Sequence, residues 1–135
     1  MAKKIKFEQG YNRPAPRDYV GQTPLSVPES IAMFDFTRNH DFSLILAYHT
    51  QGEVIYWKYL DEEPEYFAKV SGYRIEETPA ASGYAGYKDW FINFYDRPGY
   101  TIEAGLGENP LPMEQFSKIY KDNVGILLGG MTELE

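Results

Sequence analysis

No cysteine occurs in this 135-residue chain, and histidine occurs only twice, as His40 and His49. The first absence excludes disulfides, thiolate metal sites and cysteine nucleophiles, while saying little about compartment. The second confines any imidazole chemistry to two positions. Neither the zinc helix pattern H-E-x-x-H nor an H-x-x-E segment is present. No apolar run approaches the ~18–20 residues that cross a bilayer. The basic start Met1-Ala2-Lys3-Lys4-Ile5-Lys6 has no apolar segment behind it and does not read as a signal peptide. Positive charge is scarce: 13 Lys and Arg against 20 Asp and Glu give a net charge of −7. A nucleic-acid backbone is therefore not the expected partner, and the lack of a long apolar run sets the same expectation for a membrane.

What the chain does have is apolar and aromatic. Its length fits one domain or part of one. The hydrophobic share of 43% is enough for a packed core, and twelve tyrosines dominate an aromatic share of 16%. Tyrosine can line a cleft or cap a core, since the ring packs while the hydroxyl stays wet.

Residues 8–28 carry Gly10, Pro14, Pro16, Gly21, Pro24 and Pro28 and read as a long loop. Ser26-Val27-Pro28-Glu29 fits a capping box, which predicts a helix to about Arg38. Ser43 to Tyr48 is a strand-like run ending in His49 and a polar Thr50-Gln51-Gly52 turn. Glu53 to Trp57 is a second strand, and Glu65 to Tyr73 a helix. Glu76 to Gly86 reads as a small-residue loop, and Tyr87 to Tyr95 as a helix or a strand. Tyr100 to Ala104 is a strand. Gly105 to Pro112 is a rigid loop, and Met113 to Leu128 an amphipathic helix that Gly129-Gly130 should stop. Strands alternating with helices predict an α/β fold, a sheet covered by helices on both faces.

Five positions could carry chemistry. His49 ends an apolar strand before a turn, where open α/β sheets hold their ligands; it is either a metal ligand or a satisfied core histidine. His40, at a helix end, suits the helix dipole as readily as a catalytic role. Glu103 interrupts the strand Thr101-Ile102-Glu103-Ala104. If Ile102 faces the core helices, Glu103 faces the other way, as a partly buried base or an exposed carboxylate. Tyr84 lies between Gly83 and Ala85-Gly86 in a loop suited to swing over a substrate, and Tyr87 could do the same.

In order, Tyr48-His49, then Ala81-Ser82-Gly83-Tyr84 with Asp89-Trp90, then Thr101-Ile102-Glu103 resemble the C-terminal part of a zinc carboxypeptidase catalytic domain. The finer likeness is to the γ-D-glutamyl-L-diamino acid endopeptidases of spore-forming bacteria. It rests on Pro16-Arg17-Asp18-Tyr19, Pro24 to Glu29, His49 to Glu53, and the long motif Glu103 to Pro112. The resemblance implies a mixed-sheet, helix-covered domain with zinc as cofactor. His49 would be a zinc ligand, Glu103 the catalytic base and Tyr84 a substrate contact. The implied substrate is a peptidoglycan stem peptide, and the implied setting the bacterial cytoplasm, forespore or wall. The family's first two zinc ligands, in an H-x-x-E segment, would precede residue 1. Residues 1–135 are thus expected to be a partial zinc-peptidase domain whose partner is the missing N-terminal half, and which alone binds zinc weakly and cleaves nothing. The other class of function open to the chain is a non-catalytic cell-wall or peptide-binding module that grips with its tyrosines.

Overall fold

A computed structural model describes residues 13–16, 19, 21–58, 62–79 and 86–132. The chain divides into two compact units, Met1–Phe42 and Ser43–Glu135. The first holds helix α1, Pro28–Arg38. Pro28 opens it as expected, but the capping box does not form: Val27 is the N-cap and no side chain caps the first turn. At its other end the His40 imidazole is hydrogen-bonded through Nδ1 to the Phe36 carbonyl at 2.7 Å. The His40 ring stacks on Phe42 at 5.2 Å. His40 thus closes the end of a helix, the polar-cap role its position suggests.

The second unit contains strand β1 (Ile45–His49), strand β2 (Val54–Trp57), helix α2 (Glu62–Ser71), strand β3 (Arg74–Glu77), helix α3 (Tyr87–Tyr95), strand β4 (Gly99–Glu103), a 3-10 turn (Met113–Gln115) and helix α4 (Phe116–Thr132). The four strands form one mixed sheet in the order β1-β4-β2-β3. β1 runs parallel to β4, β2 parallel to β3, and β2 antiparallel to β4. The fold is the expected α/β type. Among the described residues no helix is long and apolar enough to cross a membrane.

Strand alternation decides what each sheet face buries. Ile55, Tyr100 and Ile102 point to one face, where they meet Phe67 of α2 and Ile126 of α4 in the main core. Burial of each such side chain stabilises by about 1.5–3 kcal/mol. Phe67 and Tyr100 add an edge-to-face contact at 5.4 Å. On the opposite face Gly99 leaves room for Ile45, Ile92 and Lys88, so α3 covers that side.

Two expected boundaries move. Residues 74–77 form a strand that begins just after the predicted helix, which ends at Tyr73, and runs into the predicted loop, which begins at Glu76, and all four are exposed. A short edge strand Arg-Ile-Glu-Glu has neither an apolar run nor an amphipathic period to betray it; backbone pairing to β2 makes it. Helix α4 continues through Gly129-Gly130 to Thr132. The glycines there face neighbours rather than a turn. A side chain at Gly129 would run into the Tyr66 ring, and one at Gly125 would meet Val70 Cβ at 2.9 Å. They let α4 lie close on α2. The stretch 87–95, ambiguous in sequence, is a helix.

Candidate active site

His49 and Glu103 end the two parallel strands β1 and β4 and are direct register partners. Strands in a sheet lie about 4.8 Å apart, and register partners share a face. The two side chains therefore stand side by side at the C-terminal end of the sheet, on the face that α3 covers. Ile102 is fully buried toward α2 and α4, which puts Glu103 on the opposite face, as alternation requires.

Glu103 sits between the exposed His49 and the 2% exposed Val54, its partner on β2. Burial pushes its carboxyl above the ordinary range, and the neighbouring imidazole draws it back in part. A carboxylate that holds a proton more tightly than usual, beside an imidazole at a strand end, is suited to take a proton from a water and give it back.

The strand ends are held by loops. The Ala104 N–H donates to the His49 carbonyl at 2.9 Å, and the Gly52 N–H to the Gly105 carbonyl at 2.8 Å. Asn109 spans 59 residues in sequence to grip the residue after His49. Thr50 Oγ1 donates to its Oδ1 at 2.8 Å, and its Nδ2 donates to the Thr50 carbonyl at 3.1 Å. Gln115 closes the same loop by accepting from Leu106 N–H and donating to the Leu106 carbonyl. Gly105, at φ 74°, leaves no room for a side chain: Leu111 Cδ1 would lie 2.6 Å from a Cβ. Behind it the Tyr73 hydroxyl accepts from Asn123 Nδ2 at 2.9 Å. The motif 105–112 is legible in sequence as a rigid loop. Its part in fixing the His49 turn, through Asn109, is not, because nothing in the sequence links Asn109 to Thr50.

Tyr84 lies outside the described residues. Tyr87 is the first residue of α3, half-buried, with its ring 6.0 Å from Trp90. Lys88 of α3 reaches back to Thr78, which follows β3. This lysine donates to Thr78 Oγ1 at 2.6 Å and faces Asp89 Oδ1 at 3.3 Å. Both charged residues are 4% exposed. Burial holds the Lys88 ammonium below its usual pKa, against the pull of Asp89.

A catalytic zinc takes three protein ligands. Among the described residues no three His, Cys, Asp or Glu side chains cluster to hold a metal. His49, exposed at a strand end beside a carboxylate, fits one position of such a site; the described residues do not supply the others.

No model of a known protein family matches the chain. It is 51% identical over 125 residues to "Gamma-D-glutamyl-L-diamino acid endopeptidase 1" of Lysinibacillus sphaericus, a match covering 87% of this chain and 31% of that protein. It is 46% identical over 121 residues to the uncharacterized protein YqgT of Bacillus subtilis (strain 168), covering 84% of this chain and 32% of the relative. The chain thus spans about a third of the length of the curated relatives it matches. The wider tie to zinc carboxypeptidases has motif likeness as its support. The finer resemblance is borne out: this chain is homologous to part of a bacterial γ-D-glutamyl-L-diamino acid endopeptidase.

Proposed function

We propose that this chain supplies the base and one zinc ligand of a peptidase that hydrolyses the γ-D-glutamyl–diamino acid bond of peptidoglycan stem peptides. The observation that carries the proposal is the pairing of His49 with Glu103 in register at the ends of two parallel strands. The name of the 51%-identical relative supports the substrate class.

Glu103 accepts a proton from the water that attacks the amide carbonyl. The C–N bond then breaks, and Glu103 returns the proton to the departing amine. The raised carboxyl pKa suits both halves of that exchange. His49 would hold the zinc, with further ligands drawn from outside the described residues. Zinc, when bound, supplies Lewis acidity toward the carbonyl and the water. Asn109 keeps the Thr50 turn, and with it the end of β1, in place. Tyr84 is the proposed substrate contact, with Tyr87 as its rival.

The test is a fusion of this chain to the portion of the Lysinibacillus sphaericus endopeptidase outside the matched stretch. The fusion should release diamino acid from γ-D-glutamyl–diamino acid peptides. Glu103→Gln should lower kcat by about 10²–10⁴-fold, and His49→Ala should abolish both zinc retention and turnover. Undiminished hydrolysis by the Glu103→Gln fusion would end the proposal. A wall-binding module is the second reading, favoured by the aromatic outer side of α3, where Trp90 stacks on a 57% exposed Phe94. Peptidoglycan binding that survives Glu103→Gln, with no hydrolysis from the fusion, would select it.

A further inference from the structure

The turn after His49 and the loop after Glu103 meet at Tyr73-Arg74, the junction between α2 and β3. Arg74 takes the first of them. Its N–H donates to the Glu53 carbonyl at 3.0 Å, and its Nη1 to the Gly52 carbonyl at 3.3 Å. Tyr73 takes the second. The Gly105 N–H donates to its hydroxyl, while the Gly105 carbonyl accepts from the Gly52 N–H at 2.8 Å. The two loops are thereby bonded to each other and to the same two residues. Glu53 stands at φ 48° and Gly105 at φ 74°. A non-glycine residue enters that left-handed region at a cost and keeps it only where its surroundings over-determine it. Lys118 adds to the hold, donating from Nζ to Glu53 Oε1 at 2.6 Å.

The Tyr73 hydroxyl is itself set from behind. Tyr73 is 3% exposed, and Asn123 of α4 is 6% exposed. Asn123 Nδ2 donates to the hydroxyl at 2.9 Å and to the Ile119 carbonyl at 2.8 Å. Asn123 Oδ1 is buried with no hydrogen-bond partner among the described residues. A buried acceptor left unsatisfied costs stability, and an apolar side chain of the same shape would carry no such cost. What the amide supplies, and an apolar side chain would not, is a directional hold on the phenol. With its ring packed in the main core and its oxygen bonded twice, Tyr73 is fixed at both ends.

We propose that Tyr73 is a positioning residue for the candidate site. Through the Gly105 N–H its hydroxyl fixes the ends of β1 and β4 against each other, and so the placing of the His49 imidazole beside the Glu103 carboxylate. The lever is short: Gly105 is two residues past Glu103, and Gly52 three residues past His49. A misplacement of about 1 Å in a reacting group can cost on the order of 10²-fold in rate. The effect on turnover rests on the function proposed above; the hold on the strand ends is read without any turnover.

The experiment is amide hydrogen exchange on this chain, followed residue by residue by NMR. Tyr73→Phe keeps the ring and removes only the oxygen. The Gly52 and Gly105 amides should then exchange about tenfold faster, the effect of losing one hydrogen bond, while those of Ile55 and Ile102 in mid-sheet hold their rates. A role in general stability would speed all four together. That result overturns the proposal, and so do unchanged rates at Gly52 and Gly105. Should Tyr73→Phe not fold, Asn123→Leu serves in its place: releasing the hydroxyl should quicken the same two amides and spare the mid-sheet pair. In the fusion to the rest of the Lysinibacillus sphaericus endopeptidase, Tyr73→Phe should lower kcat about tenfold and leave KM unmoved. A fusion that cleaves nothing while the exchange pattern holds sinks the peptidase reading and leaves the positioning intact. A fusion that cleaves with a kcat indifferent to Tyr73→Phe does the reverse.

Discussion

Replacing Gly129 with alanine tests the close packing of α4 on α2 that supports the sheet from below. Two effects oppose each other. Alanine is favoured over glycine inside a helix by about 1 kcal/mol. Against that, the new methyl would sit inside the Tyr66 ring, 2.9 Å from Cδ1 and 3.0 Å from Cζ with Cε1 closer still. Tyr66 is half-buried between α2 and the core, so its ring cannot turn away freely. Overpacking of this kind costs typically ~1–3 kcal/mol, at the upper end where a ring must move. The net expectation is a loss of about 1–2 kcal/mol. For a unit of fewer than 100 residues, Ser43–Glu135, that lowers Tm by roughly 5–15 °C. Gly130→Ala is the matched control. Its nearest neighbour would be Leu44 Cδ2 at 3.2 Å, the end of a flexible side chain, so the helix gain should survive. Thermal melts of Gly129→Ala, Tyr66→Leu and the pair should give a favourable coupling of ~1 kcal/mol or more. If Gly129→Ala raises Tm as much as Gly130→Ala does, the close approach of the two helices is wrong.

Two further predictions concern charge. Burial raises the folded-state pKa of Glu103, so ionising it costs the folded state. Its favourable contribution is complete below the unfolded pKa and lost as pH rises through the folded value. Glu103→Gln should therefore raise Tm at about pH 7 and lose that advantage near pH ~3.5; an equal gain at both would contradict the assignment. Lys88→Met leaves Asp89, 4% exposed, without its cation, and breaking such a buried pair costs about 3–5 kcal/mol. Adding Asp89→Asn should recover most of that loss in denaturant titrations, and a single variant of unchanged midpoint would show that the pair carries no structural load.

The elements with strong local signals were legible. The apolar run before His49, the β2 run before the acidic stretch, and the period of Phe116 to Leu128 each carry their own periodicity. Alternation around Ile102 was enough to turn Glu103 away from the main core. The elements that failed are those whose cause is nonlocal. Strand β3 exists because β2 offers it a ladder, and Gly129-Gly130 stays helical because Tyr66, Leu44 and Leu46 occupy the space where side chains would be. The capping box failed because Ser26 lies one residue before the N-cap, Val27.

The sequence by itself determined the chemistry available: one histidine at a strand end, one carboxylate inside an apolar strand, no thiol, and the motifs that tie the chain to its endopeptidase relatives. Only the tertiary structure decided that His49 and Glu103 meet. They are 54 residues apart in sequence, and β4 comes to lie beside β1 because its Tyr100 and Ile102 are buried under α2 and α4. Strand order is set by which faces must be buried together, and no local pattern records it. The same holds for Asn109 and Thr50, which a loop closure brings together to fix the turn beside the candidate site.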